Sequence, residues 1–599
     1  MKSINELPAE VIIELEKNPE SAWRWFSERY YAQQAEQAED ELLVQVRQRF
    51  SLEKIIAACQ AYRHYAGKRG QEATHDIAIL CWALLLKYLL CGSYRKTCQE
   101  IRNNTQARCF VGYRLDLPTL SYVTLQRFEV WVMKNQPRSL FTEILRQIDE
   151  DFPEEVNKAQ IGDTFALLAN VAAQSRTQML RDACRRLLGY LQQVHPATYD
   201  KVFAQFKREE LFGKEGDLPE YRLEKAQRDA LELETALAAD GCLYLIWRQV
   251  AAMSSQNRLE FLALQRWLGI LDKILRDEFV FETGDEANLL SVRFCTEKER
   301  GTFVIGSTLD PEATFRKHGE KNQLGYNVQV AATEHFIREI FAKTGATNDG
   351  SGVATLIANQ LQHLGLVPPK LGYDRAAGSP KIFHDVDKAS EGKTQLVARL
   401  IDHAKNSTRF GPLDFTLNED GSLTCPNQQN THTFYRSKSA DGYDYRFSAE
   451  TCKGCPLRQR CRGENDPNSP TPAPALDAQP EQPAPVEATP DMPKANKRKL
   501  PKATAYRQVF ISKYRDFQRS AILYTKTEQF KLDMKFRSTI ERIIAALVRY
   551  NGARLAHAHG TDKADFQSRM AATAYNLKKW HKLMLEKAKA ARYKAPDSS

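Results

Sequence analysis

The sequence predicts a multi-domain protein of the α plus α/β class, in which a helical amino-terminal domain precedes an α/β domain that two insertions interrupt. Three observations support this class. At 599 residues the chain is longer than one hydrophobic core usually organises, so two to four domains are expected. Helical periodicity dominates the first 140 residues, whereas short apolar runs without helical period begin at residue 161 and return after residue 320. A hydrophobic content of 42% and an aromatic content of 10% are typical of a globular protein.

The amino-terminal domain, residues 1–145, is expected to consist of helices. The segment "DIAILCWALLLKYLL" predicts a buried helix, and its longest uncharged run ends at Lys87, too short to cross a bilayer. Two further helices are predicted by "SYRKTCQEIRNN", with Ser93 as N-cap, and by "LPTLSYVTLQRFEVWVMKN", with Pro118 near its start. A short helix, a turn and a helix that carries Arg127 are typical of a helix-turn-helix reader of DNA. A plain helical bundle explains the same pattern, and both interpretations stay open.

The α/β domain is expected over residues 155–415, with a helical insertion at about 177–290. Alternating apolar residues in "NQLGYNVQVAATE" and "FIREIFAKTGATND" predict a hairpin. The segment "SGVATLIANQLQHLGL" predicts a helix that Asp349 and Ser351 cap and that Gly365 ends. In "KLGYDRAAGS" an apolar approach then ends at Asp374, at the carboxyl end of a strand, where open α/β sheets usually bind ligands.

Four of the twelve cysteines cluster in a small insert, which is expected over residues 416–463. Cys452 and Cys455 form a CxxC pair, Cys461 follows six residues later, and Cys425 comes after a strand-like segment. Four thiolates are typical of a tetrahedral structural Zn²⁺ site, and metal binding would stabilise an insert with little core. Free thiols are the alternative.

The carboxyl-terminal part combines a linker with a basic helical segment. Residues 464–493 contain nine prolines and almost no large apolar side chain, so they are expected to form a disordered linker. Residues 494–599 carry 25 Lys and Arg against 8 Asp and Glu, a net charge of +17, whereas the rest of the chain is near −7. Such a basic part is expected of a protein that holds a polyanion, and a merely solvated tail is the alternative.

Three isolated acids stand out: Asp163 inside the first strand, Asp374 at the end of a later strand, and Glu541 beside the apolar face of a predicted helix. This is the order in which an RNase H-like fold brings two Asp and one Glu to one point. Converging carboxylates repel one another unless a divalent cation neutralises them, and oxygen ligands suit Mg²⁺ or Mn²⁺. Two such ions would activate an attacking oxygen and stabilise the leaving oxygen of a phosphodiester. Asp310 in "TLDPEA" competes for the first position, but "LDPE" is typical of a turn, so we prefer Asp163.

Together with these acids, longer blocks of sequence carry a resemblance to the DDE transposases of bacterial insertion sequences, in the branch with a helical amino-terminal domain and a cysteine-rich insert. The resemblance implies an RNase H-like catalytic domain that the carboxyl-terminal part completes, and a DDE triad of Asp163, Asp374 and Glu541 that binds Mg²⁺ or Mn²⁺. The blocks span roughly residues 75 to 580: "QIGDTFALLANVAAQS" with "LRDACRRLL", "STLDPEATFRKHGEKNQLGYNVQVA", "NDGSG" with "LGYDRAAGS", "CKGCPLRQRC", and "RSTIERIIAALVRYNGARLAHAHGTDKADFQSRMAATAYNLKKW".

The sequence departs from the family at two positions near Glu541. Many relatives have a Tyr, an Arg and then the catalytic Glu at fixed helical spacing; Arg537 occupies the Arg position here, but Met534 stands where the Tyr is expected. A Lys seven residues after the Glu is replaced by Val548, with Arg549 one residue later. Of this family pattern, only Arg537 therefore remains a candidate DNA-binding residue. The other candidates are Arg127 in the possible helix-turn-helix, Lys321, which could instead lie in a solvated loop, and Arg375, which could instead pair with a neighbouring carboxylate.

The resemblance implies a transposase that binds the ends of its element, cuts DNA by metal-dependent hydrolysis and transfers the 3′-hydroxyl strand into target DNA. Its partner would be double-stranded DNA, and bringing two ends together implies a homodimer or a larger synaptic complex. A metal-dependent nuclease without strand transfer and a non-catalytic DNA-binding descendant of a transposase are the alternatives. The opening "MKSINELPAEVIIELEKNPE" has no signal-peptide character, so we expect a cytoplasmic, nucleoid-associated bacterial protein without a membrane partner.

Overall fold

Two units make up the part of the chain that the computed structural model describes. The first comprises Met1–Asp374, Val386–Val397 and Leu532–Ser599, and the second comprises Arg375–Asp385 and Ala398–Lys531. The described residues are 13, 16–63, 75–205, 208–214, 216–250, 258–283, 290–318, 321–400, 409–437, 441–462 and 507–594.

The first unit begins with helices, as the sequence predicts. Ser93 caps its helix by accepting a hydrogen bond from the backbone N–H of Lys96. The helix expected to start near Pro118 starts at Tyr122 instead, because the Ser121 side chain accepts the Thr124 N–H and caps it there. The helices are α1 (Pro19–Gln37), α2 (Leu42–Arg49), α3 (Glu53–Cys59), α4 (Ile77–Leu89), α5 (Tyr94–Asn103), α6 (Thr105–Val111), α7 (Tyr122–Asn135) and α8 (Ser139–Asp151).

Helix α4 lies at the centre of this helical core, and nearly all of its residues are buried. Lys87, which ends its uncharged run, is also buried, and its ammonium lies 2.7 Å from a carboxylate oxygen of Glu129 on α7. The Tyr88 hydroxyl donates to the same carboxylate at 2.7 Å. A buried charge is tolerated only when it is paired in this way, so the lysine belongs to the core and does not mark a surface.

A central strand and a helical insertion follow. Strand β1 (Gln160–Leu168) leads into α9 (Arg176–Val194), α10 (Pro196–Phe203), α11 (Arg208–Phe212), α12 (Lys225–Val250) and α13 (Arg258–Glu278). The insertion ends in an antiparallel hairpin of β2 (Phe279–Thr283) and β3 (Leu290–Phe294), which the sequence analysis did not predict. It has a hydrophobic core of its own, formed chiefly by α9, α12 and α13.

The main sheet has six strands, with β1 in a central position. Its further elements are β4 (Thr314–His318), β5 (Lys321–Ala332), β6 (Ile337–Thr344), a 3₁₀ turn (Asp349–Gly352), α14 (Val353–Leu364), β7 (Lys370–Gly372), α15 (Pro380–Ala389) and β8 (Gln395–Val397). The order is β4–β5–β1–β7–β8, and β6 pairs with β5 beside β4. Strands β7 and β8 run parallel to β1, whereas β5 runs antiparallel to it. The predicted hairpin of β5 and β6 is present.

The second unit contains the four clustered cysteines. Its elements are β9 (Thr416–Leu417), β10 (Leu423–Thr424), β11 (Asn430–Thr431), β12 (Phe434–Arg436), β13 (Gly442–Phe447), α16 (Ala449–Lys453), α17 (Arg458–Arg462), β14 (Arg507–Ser512), α18 (Arg515–Thr525) and α19 (Glu528–Lys535), the last of which extends into the first unit. Strands β9–β11 and β12–β14 form two small antiparallel sheets over a core that includes Phe415, Tyr445 and Phe447. The predicted linker 464–493 lies outside the described residues.

The carboxyl-terminal helices α20 (Ser538–Tyr550) and α21 (Thr561–Lys594) return to the first unit. Ile540, Ile543 and Leu547 of α20 are buried against the face of the sheet that carries Ile161 and Phe165. Helix α14 covers the opposite face, where the side-chain amides of Gln160 and Gln360 bond to each other at 2.9 Å. Helix α21 contributes to this sheet core and also to the amino-terminal helical core.

None of the helices in the described ranges is by itself long and apolar enough to cross a membrane. Helices α4 and α5 meet the length and composition criteria only when they are taken together, and a bend of 109° separates them.

Replacing Ile543 with Ala should destabilise the sheet core. Its side chain is 2% exposed, so truncation leaves a cavity and should cost about 2–5 kcal/mol of unfolding free energy. Ile544→Ala is the matched control. Ile544 is the next residue of the same helix and is half-buried, so its truncation should lower the free energy of unfolding clearly less. Thermal and urea denaturation of the two variants would measure this difference, and equal losses would contradict the packing described for α20.

Candidate active site

Asp163 lies on β1, and Asp374 lies at the same level just beyond the end of the neighbouring strand β7. Strands β1 and β7 are parallel, and their register pairs Gln160 with Leu371 and Ile161 with Gly372. Asp163 and Asp374 each lie two residues beyond the last of these pairs, so both side chains leave the same face of the sheet. Both are half-buried. The register therefore brings these two acids together at the carboxyl end of strand β7, and their catalytic role stays a prediction.

The surroundings of Asp163 disfavour its charged form. The pKa of its carboxyl is raised, first by burial and then by the negative charges of Asp374 and Asp349. The backbone N–H of Thr164, 2.8 Å from Oδ1, and the guanidinium of Arg537 oppose this shift. A half-buried carboxylate beside other carboxylates is the arrangement that a bound divalent cation would stabilise.

Glu541, the third predicted acid, lies on the first turn of α20 with 67% of its side chain exposed. Arg537, four residues earlier, places a guanidinium nitrogen 3.8 Å from the Glu541 carboxylate, and its charge also acts on Asp163. The structure thus brings Arg537 between the first and third acids. It does not complete a metal centre: within the described ranges, no three His, Cys, Asp or Glu side chains lie close enough together to hold a metal ion.

Asp310, the competing candidate for first acid, has a different environment. Its carboxylate is 1% exposed and accepts hydrogen bonds from the Tyr326 hydroxyl at 2.5 Å and from the Gly560 backbone N–H at 3.2 Å. Both oxygens are therefore engaged in joining β5 to the segment before α21. Asp310 thus has a structural contact to make, and the choice of Asp163 as the first acid stays a prediction.

The face of the sheet opposite to Asp163 carries polar residues that the sequence analysis did not select. Arg316 on β4 donates to the Thr164 hydroxyl at 2.8 Å and forms an ion pair of 3.1 Å with Asp349. Asp349, expected to cap a helix, does not do so; the Asn348 side chain accepts the Gly350 N–H and caps the 3₁₀ turn instead. Only the register of β4, β5 and β1 brings Arg316 to this position, so no local motif could have indicated it.

The other three predicted DNA-binding residues are exposed and lie on different elements. Arg127 lies on α7, Lys321 begins β5, and Arg375 begins a short 3₁₀ turn directly after Asp374. Their positions leave them accessible to a ligand, and their roles stay predictions.

The four clustered cysteines surround one small cavity in the second unit. Cys425, Cys452, Cys455 and Cys461 all line it, and its volume is about 30 Å³, enough for a single ion or water molecule. The pKa of the Cys461 thiol is raised by burial and by the other three cysteines, whereas Arg507 lowers it. No disulfide links any of the twelve cysteines, all of which lie in described ranges. The thiols surround the cavity but do not converge to metal-bond distances there.

Two parts of the chain match family models of transposases. Residues 30–130 match a transposase domain (DUF772), and residues 424–581 match a transposase DDE domain. The chain therefore carries two transposase domains, one of them of the DDE class, and these matches confirm the predicted resemblance to the DDE transposases of insertion sequences. That match includes Glu541 but neither Asp163 nor Asp374. No curated protein and no solved structure matches the chain.

Neutralising the two competing first acids should affect the stability of the protein differently, with a loss at Asp310 and no loss at Asp163. Asp310→Asn removes one acceptor oxygen from a buried carboxylate that accepts two hydrogen bonds, and it should lower the free energy of unfolding by about 1–3 kcal/mol. Asp163→Asn removes a charge that its surroundings disfavour, so its melting temperature should equal or exceed that of the wild type. Differential scanning calorimetry without added metal measures both, and a marked loss of stability in Asp163→Asn would contradict the electrostatics described here.

Proposed function

We propose that this transposase cleaves DNA at the ends of its element by metal-dependent hydrolysis and then transfers the freed 3′-hydroxyl strand into target DNA. The observation that carries the proposal is the placement of Asp163 on β1 level with Asp374 just beyond the parallel strand β7, with Glu541 on the helix that packs beside them and Arg537 at the N-cap of that helix.

The same proposal assigns an RNase H-like fold to the sheet domain. Supporting it is the strand order β6–β5–β1–β7–β8, in which β5 and β6 form an antiparallel hairpin beside β1 and both β7 and β8 run parallel to β1. In this arrangement the helical insertion follows β1, and the larger part of the second unit, Ala398–Lys531, lies in the sequence between β8 and α20. Long inserted segments at these two points leave the strand ladder uninterrupted.

The donor atoms suit Mg²⁺ or Mn²⁺. Asp163, Asp374 and Glu541 offer only carboxylate oxygens, which hard cations prefer. Asp163, whose pKa the neighbouring Asp374 charge raises, gains from a cation that neutralises both carboxylates, and the exposed Glu541 side chain has rotameric freedom to join them. Bound ions would activate the attacking oxygen and stabilise the leaving oxygen.

The reaction needs two exchanges at phosphorus. In cleavage, a water oxygen bonds to the scissile phosphorus and the 3′ oxygen leaves with a proton, which yields a 3′-hydroxyl and a 5′-phosphate. In transfer, that 3′-hydroxyl oxygen attacks a target phosphodiester and displaces the target 3′ oxygen, so no covalent enzyme intermediate is required. Arg537, beside both Asp163 and Glu541, is placed to orient a phosphate oxygen.

Basic side chains beside α20 support DNA as the partner. The pKa of Lys579 on α21 is lowered by burial and by the charges of Lys582 and Arg542, and Glu586 and Glu334 only partly offset them. Neighbouring cations at the surface repel one another, and a bound polyanion would relieve that repulsion by neutralising them together. Because transposition joins two element ends to one target, we propose that the protein acts as a dimer or a larger synaptic complex.

We also propose a structural Zn²⁺ at the four cysteines of the second unit. Four thiols around a cavity of ionic size fit a closed tetrahedral site, with Zn–S bonds that draw the side chains inward. Because the adjoining core is small, the metal would contribute directly to the folding of this unit.

Asp163→Asn, Asp374→Asn and Glu541→Gln should each abolish cleavage while leaving DNA binding largely intact, because each removes a metal ligand and keeps the shape of the side chain. Labelled element-end DNA, a supercoiled target and Mg²⁺ would be incubated with each variant and with the wild type, and cleaved and joined products would be separated on denaturing gels. Glu528→Gln, an exposed acid on α19, is the matched control and should retain activity.

Each outcome of that experiment separates the alternatives. Cleavage without joined products from the wild type would favour a nuclease, and binding without cleavage would favour a non-catalytic descendant. Activity retained in Asp163→Asn but lost in Asp310→Asn would overturn the assignment of the first acid.

Protein purified without chelators should contain about one zinc per chain. Cys455→Ser should lower the zinc content and the melting temperature of the second unit, whereas Cys295→Ser, in the hairpin region of the helical insertion, should change neither. Inductively coupled plasma mass spectrometry measures the metal, and wild-type protein that contains none would contradict the zinc proposal.

A further inference from the structure

We infer that Arg316 and Asp349 are positioning residues, which hold Asp163 and Asp374 at a fixed separation from the opposite face of the sheet. The inference rests on the proposed metal-dependent function and extends it to side chains that would not themselves touch the metal or the DNA.

The backbone ladder alone does not fix the two acids. Strands β1 and β7 pair only through Gln160–Leu371 and Ile161–Gly372, so the ladder ends before Asp163 and Asp374 are reached. A further hydrogen bond, from the Tyr373 N–H to the Val397 carbonyl at 2.9 Å, ties the end of β7 to β8 and not to β1. Side chains must supply the remaining connection between the acids.

On the opposite face of the sheet, the residues next to each acid supply this connection. Thr164 follows Asp163, and its hydroxyl accepts a hydrogen bond from Arg316 at 2.8 Å. Tyr373 precedes Asp374, is fully buried, and places its hydroxyl 3.2 Å from the Asp349 carbonyl oxygen and 2.9 Å from the Gln329 amide oxygen. Because successive residues of a strand point to opposite faces, fixing Thr164 and Tyr373 also fixes the direction of the two acids.

Asp349 joins these two connections. Its carboxylate accepts hydrogen bonds from the Arg316 guanidinium, 3.2 Å from Oδ2, and from the Asn327 amide, 2.7 Å from Oδ1, while its backbone carbonyl accepts one from the Tyr373 hydroxyl. The chain of contacts therefore runs from Thr164 through Arg316 and Asp349 to Tyr373. The Arg316 side chain is only 15% exposed, so this pair is shielded more than a surface ion pair.

The close packing of Tyr373 on β1 explains the glycine before Asp163. A Cβ atom on Gly162 would lie 2.6 Å from the Tyr373 ring, which is closer than van der Waals contact permits. The ring thus crosses β1 directly beneath the first acid, and the absence of a side chain at residue 162 lets it do so.

The test compares metal dependence in matched variants. Arg316→Met removes both bonds of the guanidinium and keeps much of its apolar volume, and Arg316→Lys is the conservative variant. The control is Arg176→Met in the helical insertion, since Arg176 also joins two carboxylates, those of Glu278 at 2.7 Å and Glu232 at 2.9 Å. Two quantities would be measured: the Mg²⁺ concentration that gives half-maximal cleavage of element-end DNA, and the rise in melting temperature that Ca²⁺ causes without DNA.

Arg316→Met should raise the half-saturating Mg²⁺ concentration by roughly tenfold, as loss of a residue that orients metal ligands does elsewhere, while cleavage at saturating Mg²⁺ stays within a few-fold of the wild type. It should also weaken the Ca²⁺ response, and Arg316→Lys should restore part of both. Arg176→Met should lower the melting temperature without metal and leave the Mg²⁺ dependence unchanged. An unchanged Mg²⁺ dependence and a full Ca²⁺ response in Arg316→Met would overturn the inference.

Two further outcomes are decisive. If Arg316→Met does not fold, Tyr373→Phe, which removes a single hydroxyl, should shift the Mg²⁺ dependence in the same direction by a smaller factor, and no shift would overturn the inference. If the wild type does not cleave at any Mg²⁺ concentration, the proposed function fails, and the Ca²⁺ response of Arg316→Met then decides the positioning role by itself.

Discussion

The parallel pairing of β1 with β7 is the constraint on which the candidate site depends. Two backbone pairs set the register, and that register brings Asp163 level with Asp374, while side-chain contacts on the opposite face complete the connection between them. The arrangement is unfavourable in isolation, because burial and like charge both raise the pKa of Asp163. A sheet keeps such a pair only when the rest of the fold fixes its strands, and here β5, β8, α14 and α20 all pack around them. The electrostatic cost at this point is what a cation would relieve.

The helical insertion and the second unit leave the strands of the main sheet uninterrupted. The helical insertion after β1 has a separate hydrophobic core and closes on itself through α9, α12 and α13. The second unit likewise has its own small core, next to the cysteine cavity. An insertion that buries its own apolar surface does not need the main sheet to complete its core, so the insertion and the sheet can change in length and sequence independently.

Much of this architecture could be predicted because the signals are local. Helical spacing indicated α4, α7 and α20, alternation indicated the hairpin of β5 and β6, and the apolar run around Asp163 indicated β1. The missed features depend on contacts between distant residues. The burial of Asp310 needs Gly560, 250 residues away, and the ion pair of Arg316 and Asp349 needs three strands in register. The hairpin of β2 and β3 was missed because its first strand continues directly from α13 and shares the helical insertion's apolar character.

Helix α21 has a consequence for when the two cores can be completed. Its residues Phe566, Leu577 and Trp580 belong to the amino-terminal helical core, whereas Ala571 and Ala572 belong to the core of the sheet. A ribosome makes β1, β7 and the helices before either core can be completed by this segment. During synthesis the two sheet aspartates are therefore made before the helices that bury their strands, and neither core can be complete until α21 has emerged. A single late helix closes both cores.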